Sequence, residues 1–381
     1  MTGKAHRFTG PARYHRQMLL DGFGEAGQQR LRESTALVVG CGALGSAVAE
    51  SLARAGIGRL RLIDRDLVEL TNLQRQVLFD ERDVAEHLPK AEAARRRLQQ
   101  INRDVEIEAH VADFNAGNAN SLAADVDLVL DGLDNFETRY LLNDLAVRDG
   151  LPYLYAGAVG VTGMSLTILP HDDQRRGTGA RRIAWSEAEA TPCLRCLFPE
   201  PPAPGSTPTC DTAGVLAMAV QFAAQRQATE AIKLMLGRLD LLDRTLFSFD
   251  LWRNTWHRLH VEDAWQPASC PCCGQGRFTA LDGDESGGTT TVCGRLAVQV
   301  NPPPGERVSD AEFLSRLAAR LAPHGTFQTT PFLIRGTLDT IEHQNGTALI
   351  GLTVFADGRA IIEGTDDAGQ ARSIYARYVG S

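Results

Sequence analysis

Apolar and polar positions follow two alternating patterns along the first part of the chain. Short apolar runs typical of strands occur at 35–39, 59–63, 105–111, 126–131 and 152–156. Between them, segments with apolar residues at helical spacing occur at 45–55, 90–101 and 137–148. Because strands and helices alternate, the sequence predicts a Rossmann-like α/β fold, with a mainly parallel sheet and helices on both faces.

The pattern changes near residue 160. A strand is predicted at 161–169, followed by a polar, arginine-rich and then proline-rich stretch over 170–212 in which we expect no packed element. A long helix at 214–236 and strands at 245–250 and 255–261 complete the main domain, which we place at residues 10–278.

Residues 279–291 have the composition of a linker. Beyond them, 292–381 reads as a small α+β domain of unassigned role. Its predicted strands are 296–300, 331–338, 348–355 and 359–363, and its predicted helices are 309–321 and 367–378.

The composition argues against several classes of function. A net charge of −8 argues against a nucleic-acid binder. No apolar run reaches the ~20 residues of a membrane span, and the first ten residues lack a signal-peptide core, so we expect a cytoplasmic protein without a membrane partner. In that compartment, eight cysteines point to metal binding or catalysis rather than to disulfides.

A glycine loop, Gly-Cys-Gly-Ala-Leu-Gly at 40–45, follows the first strand and opens a helix. Gly40, Gly42 and Gly45 allow backbone amides to approach a phosphate, and Asp64 ends the next strand, where a ribose hydroxyl would lie. Taken alone, this pattern fits NAD(P) or FAD as well as another nucleotide.

Polar residues after Asp64 change that interpretation. Asn72, Arg75, Gln76 and Lys90 would form a polar wall beside the same pocket. Each of them singly reads as a solvated surface residue. Together, a guanidinium and an ammonium could neutralise a triphosphate or a departing pyrophosphate, which hydride transfer does not require.

Asp131 and Asp134 follow the strand at 126–131, at the sheet edge where α/β proteins bind ligands. Either residue could instead cap the next helix. The more specific interpretation is that Asp134 and the substrate phosphates together coordinate Mg²⁺.

The cysteines form two Cys-x₂-Cys knuckles that are distant in sequence. Cys193 with Cys196 and Cys270 with Cys273 suit a closed tetrahedral zinc site of structural type. Cys272 could replace Cys273 as a ligand. Cys210 stands apart, just ahead of the long helix, where a thiol can be activated; a capping-region cysteine without chemistry is the alternative.

The order of these motifs resembles the ubiquitin-activating-enzyme-like adenylyltransferases of the ThiF/MoeB/HesA family. The matching motifs are Arg-Tyr-His-Arg-Gln (13–17), the glycine loop, Asp64-x-Asp66, Asn-Leu-Gln-Arg-Gln (72–76), Lys90, Asp-Gly-Leu-Asp-Asn (131–135), both knuckles, Cys210 and Glu-Ala-Ile-Lys (230–233). The resemblance covers about residues 10–275 and implies a homodimer that adenylates the C-terminal glycine of a small ubiquitin-like sulfur-carrier protein ending in Gly-Gly.

The resemblance also implies roles for single residues. Asp64 would hold the ribose of ATP, Asn72, Arg75 and Lys90 the phosphates, and Asp134 the Mg²⁺. Arg16 would bind phosphate from the other subunit. Cys193, Cys196, Cys270 and Cys273 would bind zinc. In some members, the cysteine that Cys210 matches is linked to the carrier through sulfur, which a persulfide donor would supply.

Three functions therefore stay open from sequence. The first is carrier adenylation, in thiamine biosynthesis or, nearly as well, in molybdopterin biosynthesis. The second is an NAD(P)-dependent oxidoreductase, which rests on the glycine loop and Asp64 alone. The third is a non-catalytic scaffold, against which the intact Arg75, Lys90 and Asp134 argue.

Overall fold

The computed structural model describes residues 12–171, 183–200, 213–283, 289–291, 296–302, 312–339, 341–343, 346–348 and 350–379. The chain divides into two compact units, Met1–Asp284 and Glu285–Ser381. None of the described helices is long and apolar enough to cross a membrane.

The first unit is built on an eight-stranded sheet. Its strands are β1 (Thr35–Val39), β2 (Arg59–Asp64), β3 (Glu106–Val111), β4 (Leu128–Asp131), β5 (Tyr153–Val159), β6 (Thr162–Ile168), β7 (Leu246–Asp250) and β8 (Thr255–Leu259). They lie in the order β3-β2-β1-β4-β5-β6-β7-β8. Pairing is parallel from β3 to β5 and antiparallel from β5 to β8, so the mainly parallel sheet is confirmed.

Helices cover both faces of this sheet. They are α1 (His15–Met18), α2 (Gly24–Glu33), α3 (Ala43–Ala55), α4 (Glu81–Ala85), α5 (Lys90–Ile101), α6 (Ala116–Leu122), α7 (Phe136–Asp149), α8 (Leu194–Leu197) and α9 (Ala217–Met235). Alternate residues of β1 enter opposite cores: Val38 packs in the core of α3, α5 and α9, and Leu37 packs in that of α6 and α7. Every residue of β1 is buried, as expected for a central parallel strand.

The prediction differs from the structure at short elements. Helices α4 and α6 were not predicted, and α8 lies inside the stretch predicted to lack packed elements. Both helices are short, and the apolar residues of α4 are only Val84 and Ala85 and those of α6 only two alanines and Leu122, so neither carries a long apolar period. In the described part of 170–212, α8 begins at Leu194, directly after the knuckle cysteine Cys193.

The second unit is an antiparallel sheet with helices α10 (Phe313–Leu321) and α11 (Ala368–Tyr378). Its strands are β9 (Thr289–Thr291), β10 (Ala297–Val300), β11 (Gly325–Thr329), β12 (Leu333–Leu338), β15 (Gly351–Phe355) and β16 (Ala360–Glu363). They lie in the order β11-β12-β15-β16-β10-β9, and β13 (Ile341–His343) and β14 (Gly346–Ala348) form a separate hairpin. This confirms the α+β class, although the sequence did not indicate β11, β13 or β14, and β9 lies within the segment 279–291 that was predicted to be a linker.

Candidate nucleotide site and cysteine cluster

The glycine loop joins β1 to α3 at the carboxyl edge of the parallel strands. Gly40 has a φ of 90°, and a Cβ there would lie 2.6 Å from the carbonyl oxygen of Gly132. A Cβ on Gly45 would lie 1.8 Å from the carbonyl oxygen of Gly40, whereas one on Gly42 would meet only the Gly132 oxygen, at 3.8 Å. No side chain caps α3, so its first amides suit an anion.

Asp64 holds this loop from the end of β2. Its Oδ2 accepts a hydrogen bond from the Cys41 amide at 2.6 Å, and its Oδ1 accepts one from the Asp66 amide at 2.7 Å. Burial raises the pKa of the Asp64 carboxyl, and Lys90 opposes that effect. Because each carboxylate oxygen can accept a second hydrogen bond, Asp64 still suits a ribose hydroxyl.

Lys90 begins α5 and points to the same edge. Its Nζ lies 3.0 Å from Asp66 Oδ2, and its side chain is only 10% exposed. Burial disfavours the charged form, but Asp66, Asp64 and Asp134 outweigh it and raise the pKa of the Lys90 ammonium above its ordinary value. Lys90 is therefore a fixed positive charge beside the glycine loop.

Asp131 and Asp134 have different environments. Asp131 is fully buried and accepts hydrogen bonds from Arg139 Nε at 3.0 Å, Tyr153 OH at 2.8 Å and the Leu133 amide at 2.9 Å. Asp134 is exposed, and its described partner is the Asn135 amide group at 3.3 Å. Neither caps α7, because Asn135 does so through Thr138. Asp134 can thus accept a cation, and Asp131 is occupied by structural contacts.

Sequence reasoning missed Arg139. Its guanidinium donates to the Leu133 carbonyl at 2.7 Å and to the Ala156 carbonyl at 3.2 Å, besides its contact with Asp131. It therefore fixes the loop that carries Asp134. An arginine in the first turn of a helix opposes the helix dipole, and that conflict is the signal that could have revealed a specific partner.

The segment with Asn72, Arg75 and Gln76 follows β2. Asn72 Oδ1 accepts from the Glu69 amide at 3.1 Å, and Arg75 Nη1 donates to the Thr71 carbonyl at 2.8 Å. Gln76 is buried, and its Oε1 has no hydrogen-bond partner. The side-chain hydrogen bonds of Asn72 and Arg75 stay within this segment, and no described hydrogen bond connects it directly to Lys90. An unpartnered buried amide oxygen nevertheless fits a site that receives a polar ligand.

Arg16 lies far from the glycine loop of its own chain. Its neighbour Gln17 donates to the carbonyl of Ala55, the last residue of α3, at 2.7 Å. The glycine loop precedes the first residue of this 13-residue helix, about 20 Å away. The exposed Arg16 side chain cannot span that distance along the helix, so it is not part of the same site.

The knuckle cysteines converge as their spacing predicts. The Sγ atoms of Cys193, Cys196, Cys270 and Cys273 all lie within 4.8 Å of one another. Three of the separations are 3.9, 3.7 and 3.4 Å. Four sulfurs at 2.3 Å from a tetrahedral zinc ion would lie about 3.8 Å apart, so this cluster fits zinc.

Cys272 lies outside this group of four. Its buried Sγ accepts a hydrogen bond from Asn143 Nδ2 at 3.3 Å, and Asn143 Oδ1 accepts one from the Leu194 amide at 2.8 Å. Asn143 belongs to α7, whose first turn carries Arg139. The cysteine cluster and the Asp134 loop are thus attached to the same helix.

Cys210 and the segment 172–182 lie outside the described residues, so the interpretation of Cys210 stays a prediction.

Comparison with known proteins adds to this geometry. The sequence model described as the ThiF family matches residues 14–272. A Bacillus subtilis protein named sulfur carrier protein ThiS adenylyltransferase is 38% identical over 369 residues, which cover 97% of this chain and 99% of that protein. A Thermus thermophilus protein named sulfur carrier protein adenylyltransferase is 38% identical over 262 residues, covering 69% of this chain and 90% of the relative.

Solved structures agree in fold. The crystal structure of Escherichia coli MccB with ATP superposes with a TM-score of 0.55 at 24% identity, over 70% of this chain and 75% of that one. Both the family match and the 38% identity cover more than two thirds of this chain, and the resemblance inferred from the motifs is confirmed. The chain belongs to the ThiF family.

Proposed function

We propose that this protein uses ATP to adenylate the C-terminal glycine of a ubiquitin-like sulfur-carrier protein, in preparation for thiocarboxylate formation in thiamine or molybdopterin biosynthesis. The observation that carries the proposal is the buried Lys90, paired with the half-exposed Asp66, beside the uncapped amino terminus of α3. The named ThiS adenylyltransferase that aligns with 97% of the chain supports the same reaction and favours a ThiS-type carrier.

The residues divide the work of binding ATP. The glycine loop and the first amides of α3 receive phosphate, Asp64 the ribose, and Lys90 with Arg75 neutralises the β- and γ-phosphates. Asn72 and Gln76 line the same segment. Asp134 would hold Mg²⁺, which would supply further neutralisation of the triphosphate when bound.

No general base is required. The carrier's terminal carboxylate is ionised at neutral pH because its reference pKa is about 3.5. It attacks the α-phosphorus, the bond from that phosphorus to the bridging oxygen breaks, and pyrophosphate leaves. The protein therefore contributes alignment and charge neutralisation.

The site is completed by a second copy of the chain. Because Arg16 lies about 20 Å along α3 from its own glycine loop, we assign it to the site of the partner in a homodimer. Cys193, Cys196, Cys270 and Cys273 would hold structural zinc, since a closed set of four thiolates leaves no position for a substrate.

Sulfur chemistry would follow adenylation. We propose that a persulfide donor supplies sulfur and that Cys210 carries the covalent link to the carrier. In a reconstituted assay, Cys210→Ala should keep adenylation and lose sulfur delivery. If sulfur delivery is unchanged in this variant, Cys210 has no role in sulfur transfer.

The test of adenylation is pyrophosphate–ATP exchange with purified Bacillus subtilis ThiS as the probe. We expect exchange only when the carrier retains its terminal Gly-Gly, and we expect its loss in Asp134→Ala. Absence of exchange with ThiS and with molybdopterin-type carriers would refute the proposal.

The other two functions receive less support. Membership in the ThiF family, together with Lys90 held beside the loop, argues against an NAD(P)-dependent oxidoreductase. Measurable ATP turnover in the exchange assay would exclude the scaffold.

A further inference from the structure

The first cysteine knuckle is tied to α7 by a buried ion pair. Arg195, inside the knuckle, is 5% exposed, and its Nε and Nη2 donate to the two carboxylate oxygens of Asp144 at 3.0 and 3.4 Å. Asp144 belongs to α7 and is fully buried. The Arg195 guanidinium also lies 4.4 Å from the ring centre of Tyr140, one helical turn earlier. Because two hydrogen bonds and a ring orient the guanidinium, the knuckle has a fixed position on α7.

Phe198 extends this contact toward the first turn of α7. It follows α8, and its carbonyl accepts a hydrogen bond from the Tyr140 hydroxyl at 2.9 Å. Its ring packs edge-on against that of Phe136, with the ring centres 5.9 Å apart, and its centre lies 6.2 Å from that of Tyr155 on β5. Phe136 is the first residue of α7. Phe198 therefore connects the segment after the knuckle with the start of the helix and with the adjoining strand.

Arg139 contacts the same two rings. Its guanidinium carbon lies 5.5 Å from the ring centre of Phe136 and 5.3 Å from that of Tyr155. At these distances each ring attracts the positive charge. The same guanidinium donates to the carbonyl of Leu133, the residue before Asp134. The packing of the rings thus sets the position of the group that holds the Asp134 loop.

We propose that Arg195 and Phe198 are positioning residues for the Mg²⁺–ATP site. They transmit the position of the knuckle to Arg139, which in turn sets the loop that carries Asp134. Neither residue contacts the nucleotide. This inference rests on the proposed function, in which Asp134 holds Mg²⁺.

The experiment measures ATP binding by the full-length protein with calorimetry, at several Mg²⁺ concentrations and without a carrier. Phe198→Leu and Arg195→Lys should each raise the Mg²⁺ concentration that gives half of the Mg²⁺ effect at least about fivefold, a change typical of coupled sites. ATP affinity without Mg²⁺ should not change, because the glycine loop and Lys90 keep their contacts. Phe198→Tyr keeps the ring and should stay within about twofold of the unaltered protein.

Phe278→Ala is the matched control. Phe278 is 6% exposed and packs in the same core, and no ring contact among the described residues joins it to Phe136 or Tyr155. Its loss should lower stability and leave the Mg²⁺ dependence unchanged. Thermal unfolding and zinc content are measured for every variant, and a raised Mg²⁺ requirement found only where zinc is lost would overturn the proposal.

A double variant tests whether Phe198 acts through Asp134. In an Asp134→Asn background, Phe198→Leu should weaken ATP binding no further, because two changes in one network are not additive. Additive weakening would overturn the proposal. It would also be overturned by an unchanged Mg²⁺ dependence in both Phe198→Leu and Arg195→Lys, or by an equal change in Phe278→Ala.

Failure of the proposed function gives a different result. In that case the unaltered protein would bind no ATP at any Mg²⁺ concentration, or would bind it and catalyse no exchange with any carrier. The positioning proposal fails instead when the unaltered protein binds ATP with Mg²⁺ and the variants bind it in the same way.

Discussion

Asp66 and Lys90 contact each other through both backbone and side chain. The Lys90 amide donates to the Asp66 carbonyl at 2.8 Å, and Lys90 Nζ lies 3.0 Å from Asp66 Oδ2. Leu67 and Pro89 form a bridge beside them. Asp66 is therefore placed to position Lys90, and this role is distinct from direct contact with nucleotide.

Replacing Asp66 by asparagine should change the pH dependence of the enzyme. Burial lowers the pKa of Lys90 and the carboxylates raise it, so loss of the Asp66 charge should bring that pKa down. Because the pKa of Lys90 is higher in the folded than in the unfolded protein, its charge stabilises the fold fully below the unfolded-state pKa of about 10.4. That stabilisation is lost as the pH rises through the folded-state pKa. The alkaline limb of exchange activity should move to lower pH in Asp66→Asn. Asp240→Asn is the control. An alkaline limb that stays at the same pH in Asp66→Asn would contradict the role of Asp66 in positioning Lys90.

Substitution of the two aspartates near the end of β4 should affect different properties: stability for Asp131 and activity for Asp134. Asp131→Asn leaves the buried Arg139 without its charge partner and should cost about 3–5 kcal/mol of unfolding free energy. Asp134→Asn should stay within about 0.5 kcal/mol but lose exchange, because the side chain is exposed. Urea unfolding with parallel exchange assays checks both; equal losses of stability would show that the two sites were assigned wrongly.

The glycines of the loop should divide into structural and ligand-facing positions. Gly45→Ala places a Cβ against the Gly40 carbonyl and should destabilise the fold by more than about 2 kcal/mol. Gly42→Ala meets no close atom of the protein, so it should keep stability and raise KM for ATP about tenfold. An unchanged KM in Gly42→Ala would mean that phosphate does not approach there.

The cysteine cluster should bind about one zinc ion per chain. Cys193→Ser and Cys273→Ser should lose the metal and lower the unfolding temperature. Cys272→Ser should keep it, because Cys272 is hydrogen-bonded to Asn143. Metal analysis of the purified variants checks this; zinc loss in Cys272→Ser with retention in Cys273→Ser would exchange the two assignments.

Mixed dimers test the position of Arg16. Arg16→Ala and Asp134→Ala should each be inactive, but a mixture allowed to exchange subunits should recover about a quarter of full activity. Half of the dimers would be mixed, and each mixed dimer would hold one complete site. No recovery, despite confirmed subunit exchange, would contradict a site shared between chains.

Sequence patterns alone predicted the α/β class, the glycine loop and the polar residues that follow Asp64. Alternating apolar runs and a fixed motif order are local properties, so they can be read without coordinates. The spacing of the knuckles likewise predicted the cysteine cluster, because two Cys-x₂-Cys pairs suit one tetrahedral ion.

Tertiary contacts are needed to tell which member of each chemically similar group belongs to the site. Asp131 and Asp134 are both carboxylates after one strand, yet burial beside Arg139 gives the first a structural role. Cys272 and Cys273 are adjacent, yet Asn143 of α7 takes one of them out of the cluster. These distinctions depend on burial and on contacts made in the folded protein, which no local sequence pattern records.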